Sequence, residues 1–270
     1  MNLIVTTAQQ TLPSITQQAK EIADKLAVPF VPRNHYSLAA LREKYELNQL
    51  IVVTTTGPIV HTPAGEYFFH LSMAELRIKN LLNGNHDHMV TAMGLMPGMS
   101  VLDCTLGLAT DAIVASFVIG EKGMIVGFES SPVITLITGY GLQNFTLASE
   151  PAITKALRRV KVENADYSDQ LAALPDNSFD IVYFDPMFRE PILKSSNVNP
   201  IRTLANTQPV TPAAISQACR VAKQKVVVKE AAGSSEFARL GMNRAVGGKY
   251  SSINYGIIEC QPKMTGGSQP

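Results

Sequence analysis

The chain has little of what defines several classes of protein. It contains only three cysteines, Cys104, Cys219 and Cys260. An odd, widely spaced set fits neither a disulfide framework nor a zinc knuckle, so we expect reduced thiols. No segment contains 18 uninterrupted apolar residues, which argues against a membrane-spanning helix. The first residues, MNLIVTTAQQTLPS, lack the basic and long apolar regions of a secretion signal, and we therefore expect a cytosolic protein.

Charge is also scarce. Charged residues make up 17% of the 270 residues and the net charge is +1, whereas hydrophobic residues make up 46%. This composition is that of a globular protein and not of a disordered one. The length allows one large domain or one domain with a small appendage, and we favour the second.

The few charges are unevenly distributed along the chain. Residues 151–270 carry 15 Lys and Arg against 10 Asp and Glu, whereas residues 1–150 carry 8 against 12. The asymmetry permits a basic face of the kind that binds nucleic acid, although a solvated helix surface explains it equally well. Four cations form a local cluster: Lys155, Arg158, Arg159 and Lys161.

The pattern of apolar residues divides the chain in two. The first 60 or so residues alternate short strand and helix signals without a catalytic motif, with a short strand at Pro29–Val31 and a turn at Gly57-Pro58. We predict a small N-terminal α/β domain over residues 1–69 and a larger domain over 70–270. From Met89 onward, apolar strands alternate with helices, which is typical of a doubly wound, mostly parallel α/β sheet.

A candidate binding turn follows the first strand of the larger domain. Residues 101–111 read VLDCTLGLATD, so that a strand ends at Asp103, a turn follows at Gly107 and a helix begins near Thr110. Such a turn at the carboxyl end of a parallel sheet lets the backbone approach a ligand. Because the turn is poor in glycine, a nucleoside fits better than a pyrophosphate.

Acidic residues follow the next two strands. Glu129 lies 26 residues after Asp103, and its carboxylate is suited to accept both hydroxyls of a ribose. A solvent-facing glutamate before a turn is the alternative. Asp166 follows a further strand and is a candidate acceptor for an adenine amine, although an ordinary turn aspartate explains it equally well.

The most specific motif is the sequence FDIVYFDPMF at residues 179–188. Asp185 would lie at the end of a strand, and Pro186 would stiffen the turn and leave carbonyl groups facing the site. An exocyclic amine conjugated to a ring is a weak nucleophile, and a carboxylate and a carbonyl that accept its two N–H groups would hold it. Phe188 would stack on the ring of a base that is flipped out of the nucleic acid. These three are our predicted catalytic residues, and a plain Asp-Pro turn is the alternative.

Four segments together resemble one known family: LDCTLGLATDA, ESSPV, YFDPMF and VVVK, within residues 102–229. They are similar to the bacterial class I methyltransferases that modify guanine N2 in small-subunit ribosomal RNA (small-subunit methyltransferase J), and more closely to Gram-positive relatives of that family. The resemblance covers about residues 70–260. It implies a seven-stranded sheet, S-adenosylmethionine as the cofactor, ribosomal RNA or the small ribosomal subunit as the partner, and direct transfer without a metal. The cofactor contacts that it implies are at Thr110, Asp111, Glu129, Ser130, Asp166, Tyr167 and Asp185.

The chain departs from the family at two places. The family has Gly-Arg-Asp where this chain has Ala109-Thr110-Asp111, which removes an arginine beside the cofactor. It has a proline where this chain has Arg189, on the substrate side. The same fold acting on DNA, a protein amide or a small amine is one alternative, and a non-catalytic RNA-binding or assembly factor is another. The two histidines at residues 86 and 88 indicate a solvated loop and not a metal site.

Overall fold

The computed structural model describes residues 3–71, 73–187, 203–242 and 244–260. The strands of the described residues are β1 (Leu3–Thr7), β2 (Gln49–Thr54), β3 (Gly57–Thr62), β4 (Gly65–Tyr67), β5 (Ser100–Asp103), β6 (Met124–Glu129), β7 (Val160–Asn164), β8 (Phe179–Phe184), β9 (Ala222–Ala231), β10 (Arg244–Val246) and β11 (Ile253–Glu259). The helices are α1 (Pro13–Leu26), α2 (Leu38–Tyr45), α3 (Met73–Leu82), α4 (His88–Met93), α5 (Thr110–Ile119), α6 (Pro132–Asn144), α7 (Pro151–Arg159), α8 (Tyr167–Ala173), α9 (Pro212–Val221) and α10 (Glu236–Arg239).

The described residues form two compact units. The N-terminal unit contains residues 3–70, 131–145 and 203–205, and the sheet unit contains the rest. The helix α6 thus belongs to the N-terminal unit although it follows a strand of the sheet unit. The predicted domain boundary after residue 69 stays a prediction.

The N-terminal unit contains a sheet in the order β1-β2-β3-β4, in which only the pair β1 and β2 is parallel. Its core includes Ile4, Leu41 and Leu50.

Two local predictions were wrong. The segment Pro29–Val31 forms a single bridge to Val5, not a strand. Gly57 and Pro58 do not form the predicted turn but begin the strand β3. Because β4 pairs only with the other end of β3, the start of this strand is an edge of the sheet, where proline is tolerated.

The sheet unit confirms the predicted seven-stranded architecture. Its strand order is β10-β11-β9-β8-β5-β6-β7, and β11 is antiparallel to both of its neighbours while the other pairs are parallel. The central strands are continuous apolar runs, as in Ile181–Phe184 and Val226–Val228, and these runs are buried. Such runs are typical of parallel strands that are covered on both faces.

The register of the central strands brings their acidic ends to one edge. Asp103 lies opposite Tyr183 on one side and Gly127 on the other. Phe184 lies opposite Val228, so Asp185 and Lys229 follow at the same level. Since the strands are parallel, these side chains and Glu129 emerge at the carboxyl edge of the sheet, where open α/β sheets bind ligands.

One helix near this edge was missed. The sequence pattern predicted no element between residues 164 and 179, but α8 occupies Tyr167–Ala173. Only Leu171 of this short helix is buried, so the apolar periodicity is too weak to reveal it. The signal that was present is Asp166, which caps the helix with its side chain.

Candidate active site

The turn after β5 is held against β6. The N–H of Leu106 donates to the carbonyl oxygen of Phe128 at 3.0 Å, and the N–H of Gly107 donates to Oε2 of Glu129 at 3.1 Å. The side chain of Leu106 lies over Gly127, where an added Cβ would come within 2.4 Å of Cδ1 of Leu106. Glycine at that position of β6 therefore allows the turn to lie close to the sheet.

The backbone of this turn adopts the conformation that favours glycine. Gly107 has φ +53°, and among the described residues other than its two chain neighbours no atom lies within 4 Å of the position that a Cβ would take. A ligand therefore has room to approach this backbone closely. Ala109 has φ +61° and stands where the resembling family has glycine. Ala109 therefore holds a left-handed conformation that glycine adopts more readily.

Glu129 is not the solvent-facing glutamate of the alternative interpretation. Its residue is 8% exposed, and its carboxylate accepts from Gly107. The backbone oxygen of Glu129 accepts from the side-chain amide of Asn164 at 2.8 Å and from the N–H of Ala165 at 3.0 Å. Glu129 is thus fixed between the turn after β5 and the end of β7.

Asp103 is a buried acid beneath the same turn. The residue is 3% exposed, and its Oδ1 accepts from the N–H of Thr105 at 3.0 Å. Burial raises the pKa of Asp103 to about 8, and the nearby carboxylates Asp111 and Asp185 act in the same direction. Asp103 is therefore protonated near pH 7 and is able to donate a hydrogen bond.

Asp111, in the first turn of α5, accepts three charged or polar donors. Its Oδ1 accepts from Arg77, and its Oδ2 accepts from the hydroxyl of Tyr183 at 2.6 Å and from Nζ of Lys229 at 3.0 Å. Burial acts to raise the pKa of Asp111, but the cations Lys229 and Arg77 hold it well below its usual range. This carboxylate is therefore ionised and links α3, α5, β8 and β9.

Arg77 places a guanidinium group beside Asp111, which has no arginine directly before it in the sequence. It lies on α3 and also donates to Asp87, with Nε to Oδ2 at 2.7 Å and Nη2 to Oδ1 at 3.0 Å. The carboxylate of Asp87 caps α4. The resembling family has an arginine directly before the aspartate, and this chain has Thr110. Here an arginine from a different helix contacts Asp111.

Asp185 is held at the end of β8 by two contacts. Its N–H donates to Oγ1 of Thr105 at 2.6 Å, and its Oδ2 accepts from Nζ of Lys229 at 2.8 Å. Burial raises the pKa of Asp185 to about 6, with Asp111 acting in the same direction and Lys229 opposing it. The side chain remains 31% exposed, so a ligand can reach the carboxylate.

Together these residues form a charged cluster, which we define as Arg77, Asp87, Asp111, Asp185 and Lys229. Asp111 and Asp185 raise the pKa of Lys229 above its usual range, although burial opposes them. Both cations therefore keep their charge near pH 7. With all three carboxylates ionised the cluster has a net charge of −1, which favours a cationic ligand.

The remaining predicted cofactor residues lie at neighbouring strand ends. Thr110 is the half-buried first residue of α5. The carbonyl oxygen of Ser130 accepts from Asn164 at 3.3 Å. Asp166 uses its Oδ1 to cap α8, accepting from the N–H of Ser168 at 2.9 Å, which is the role of an ordinary turn aspartate.

The last predicted positions flank these residues. The ring of Tyr167 lies edge-on to Phe184, with 5.3 Å between the ring centroids, and burial raises the pKa of Tyr167 to about 12. Pro186 follows Asp185 at the carboxyl edge and is partly exposed. Phe188 and Arg189 lie outside the described residues.

The sequence interpretation missed five residues of this site: Arg77, Asp87, Thr105, Tyr183 and Lys229. Lys229 was visible as a lysine directly after the apolar run Val226–Val228, and that signal was sufficient to nominate it. Thr105 and Tyr183 lie within segments typical of a turn and a buried strand. Arg77 lies between apolar positions of α3, where nothing in the local pattern indicates a partner.

The comparisons with known proteins agree with this fold. The chain belongs to the family described as "Putative SAM-dependent methyltransferase", which matches residues 21–251. The protein YpiP of Bacillus subtilis is 34% identical over 259 residues, which cover 96% of this chain and 100% of YpiP. S-adenosylmethionine, as predicted, is the cofactor of this family.

More distant relatives have a named RNA activity. The ribosomal RNA small subunit methyltransferase J of Pseudomonas paraeruginosa is 26% identical, with 79% of each chain covered. That of Thioalkalivibrio sulfidiphilus is 28% identical, with 56% of this chain and 58% of the relative covered. Among solved structures, the SAM-dependent methyltransferase NGO1261 of Neisseria gonorrhoeae has a TM-score of 0.65 and 16% identity, with 96% of both chains covered, which shows a shared fold.

Two further observations concern the described part of the chain. No group of three or more His, Cys, Asp or Glu side chains there is arranged to hold a metal ion. No helix within it has the length and apolar character needed to span a membrane.

Proposed function

We propose that this methyltransferase transfers a methyl group to the exocyclic amine, N2, of a guanine in small-subunit ribosomal RNA. The observation that carries the proposal is the placement of Asp185. Its carboxylate is positioned by Lys229 at 2.8 Å and its backbone by Thr105 at 2.6 Å, at a partly exposed strand end beside the negatively charged cluster. The names of the distant relatives support the choice of ribosomal RNA.

The residues at the carboxyl edge fit S-adenosylmethionine. The buried carboxylate of Glu129 suits the two ribose hydroxyls, and the open space at Gly107 suits a close approach of the ligand to the backbone. The net charge of −1 on the cluster suits a sulfonium cation. The bound cofactor supplies the electrophilic methyl group. We assign the other binding positions to Asp103, Thr110, Asp111, Ser130, Asp166 and Tyr167.

The role of Asp185 follows from its two fixed contacts and its pKa. Because Lys229 and Thr105 hold it, its carboxylate is ready to accept an N–H of the target amine without a costly reorganisation. An amine that gains a methyl group also has one surplus proton to lose. A carboxylate with a pKa of about 6 is ionised near pH 7 and can take that proton. Pro186 contributes a stiff turn whose carbonyl groups complete the amine site.

The experiment is a transfer assay with the purified protein. Small ribosomal subunits from a strain that lacks the protein are incubated with S-adenosylmethionine carrying a labelled methyl group, and the digested RNA is analysed by mass spectrometry. We expect label in N2-methylguanosine. DNA, total protein and small amines are tested in parallel, and label found only in one of these would replace RNA as the substrate. Absence of cofactor binding would instead favour a non-catalytic assembly factor.

A further inference from the structure

A cavity of about 940 Å³ opens in the N-terminal unit, and none of the described residues that line it belongs to the site above. Its wall comes from the loop after β1, from α1 and from the segment before α2. The side chains that matter for its chemistry are Gln9, Gln10, Lys20, Phe30, Arg33 and Asn34.

The cavity wall is cationic. Among the described residues that line it are Lys20 and Arg33 but no aspartate or glutamate, and no acidic residue occurs in the sequence between Asp24 and Glu43. Burial lowers the pKa of Arg33. A partly desolvated guanidinium group of this kind gains from an anionic ligand.

Both cations are positioned by their neighbours. Nε of Arg33 donates to the carbonyl oxygen of Tyr36 at 2.7 Å, which fixes one edge of the guanidinium group. Nζ of Lys20 lies 5.9 Å from the centroid of the Phe30 ring, within the range of a cation–π contact. The two positive groups thus share one wall with an aromatic ring.

The other lining groups suit a nucleobase. The side-chain amides of Gln9, Gln10 and Asn34 each donate and accept hydrogen bonds, as the edge of a base requires. The partly buried ring of Phe30 provides an apolar surface of the kind on which unpaired bases stack. The volume falls within the range of sites for small organic ligands, roughly 300–1,000 Å³.

We infer that this cavity binds an unpaired nucleotide of single-stranded RNA, with its phosphate on Lys20 and Arg33 and its base among the amides and the Phe30 ring. The inference rests on the proposed function insofar as that function makes RNA the substrate. It assigns the N-terminal unit to RNA binding at a place outside the methyl-transfer site. A free nucleotide carries the same phosphate and base, so the experiment must separate the two sources.

The experiment measures binding of a labelled single-stranded oligoribonucleotide by fluorescence anisotropy. The test variant combines Lys20→Gln and Arg33→Gln, and the matched control is Lys25→Gln, on the same helix but outside the cavity wall. We expect the double variant to raise Kd at least about 10-fold and to reduce the slope of log K against log salt by about 0.7, the value for one lost phosphate contact on a single strand. The control should bind as wild type does. Thermal unfolding checks that both variants remain folded.

Each outcome decides the inference. Equal binding by the double variant and the control would overturn it, and so would a mononucleotide that binds more tightly than the oligoribonucleotide, because the cavity would then be a site for free nucleotides. Binding that depends on Lys20 and Arg33, in a protein that transfers no methyl group to ribosomal RNA, would uphold the inference while the proposed function fails. Methylation of ribosomal RNA by a protein whose RNA binding does not depend on Lys20 and Arg33 would uphold the proposed function and overturn the inference.

Discussion

Nζ of Lys229 lies 2.8 Å from Oδ2 of Asp185. On its other side the same ammonium group lies 3.0 Å from Oδ2 of Asp111, which also contacts Arg77. Lys229 therefore connects a buried carboxylate, whose position is set by α3 and α5, with the partly exposed carboxylate at the end of β8. The position of the proposed catalytic group depends on this lysine.

Substitution of Lys229 by Met should destabilise the fold. The variant leaves Asp111 and Asp185 close together without the cation between them, and breaking a buried ion pair costs about 3–5 kcal/mol. Since Lys229 is 20% exposed and Asp185 31%, we expect the lower value, about 3 kcal/mol. Denaturant unfolding measures the change in the free energy of unfolding.

The control for this variant is Lys225→Met, on the same strand. Lys225 is 22% exposed, similar to Lys229, but its partner Glu259 lies 3.6 Å away and is 58% exposed. A pair of this kind contributes at most about 1 kcal/mol. Equal destabilisation by the two variants would show that the cluster has no special role.

Substitution of Glu129 by Ala should weaken cofactor binding. Two ribose hydroxyls would lose a charged acceptor worth about 1.5–3 kcal/mol per hydrogen bond before water compensates, and the turn at Gly107 would lose its contact. We expect a rise in Kd of about 10- to 100-fold in calorimetric titration with S-adenosylmethionine. Glu163→Ala, an exposed position on β7, should bind as wild type does. Unchanged affinity in Glu129→Ala would remove this residue from the site.

Substitution of Asp185 by Asn should slow methyl transfer more than it weakens cofactor binding. The variant keeps the size of the side chain but removes the charge that accepts from the amine, and one charged hydrogen bond of about 3 kcal/mol corresponds to on the order of 100-fold in rate. Single-turnover transfer is measured beside equilibrium cofactor binding. Asp169→Asn, an exposed position on α8, is the control, and near-normal transfer by Asp185→Asn would refute the assigned role.

Asp103 should make the protein less stable as the pH rises. Its pKa is about 8 in the folded protein and near 4 when unfolded, so the folded state binds more protons between these values. The free energy of unfolding then falls with rising pH, by up to about 1.4 kcal/mol per unit from this group. Asp103→Asn should flatten the decline between about pH 6.5 and pH 8, an interval in which Asp185 is already largely ionised. An equally steep decline in the variant would contradict a protonated Asp103.

Local sequence patterns were sufficient to predict the α/β fold of the sheet unit, and they also placed the acidic residues at strand ends. Apolar runs such as Val226–Val228 and turns such as Asp185-Pro186 depend on backbone geometry and on burial, which adjacent residues encode. The predicted fold is confirmed. The roles assigned to Asp185, Glu129 and the other site residues stay predictions.

The charged cluster was decided by the tertiary structure. Arg77 and Asp111 are 34 residues apart, and Lys229 and Asp111 are 118 apart, so no local period relates them. Their contacts depend on which strands are neighbours and on where α3 packs. The raised pKa of Asp103 and the lowered pKa of Asp111 have the same origin, because burial and the distance to other charges are properties of the folded chain. A sequence shows which residues can ionise, and only the fold decides which of them lie close enough to change one another's charge.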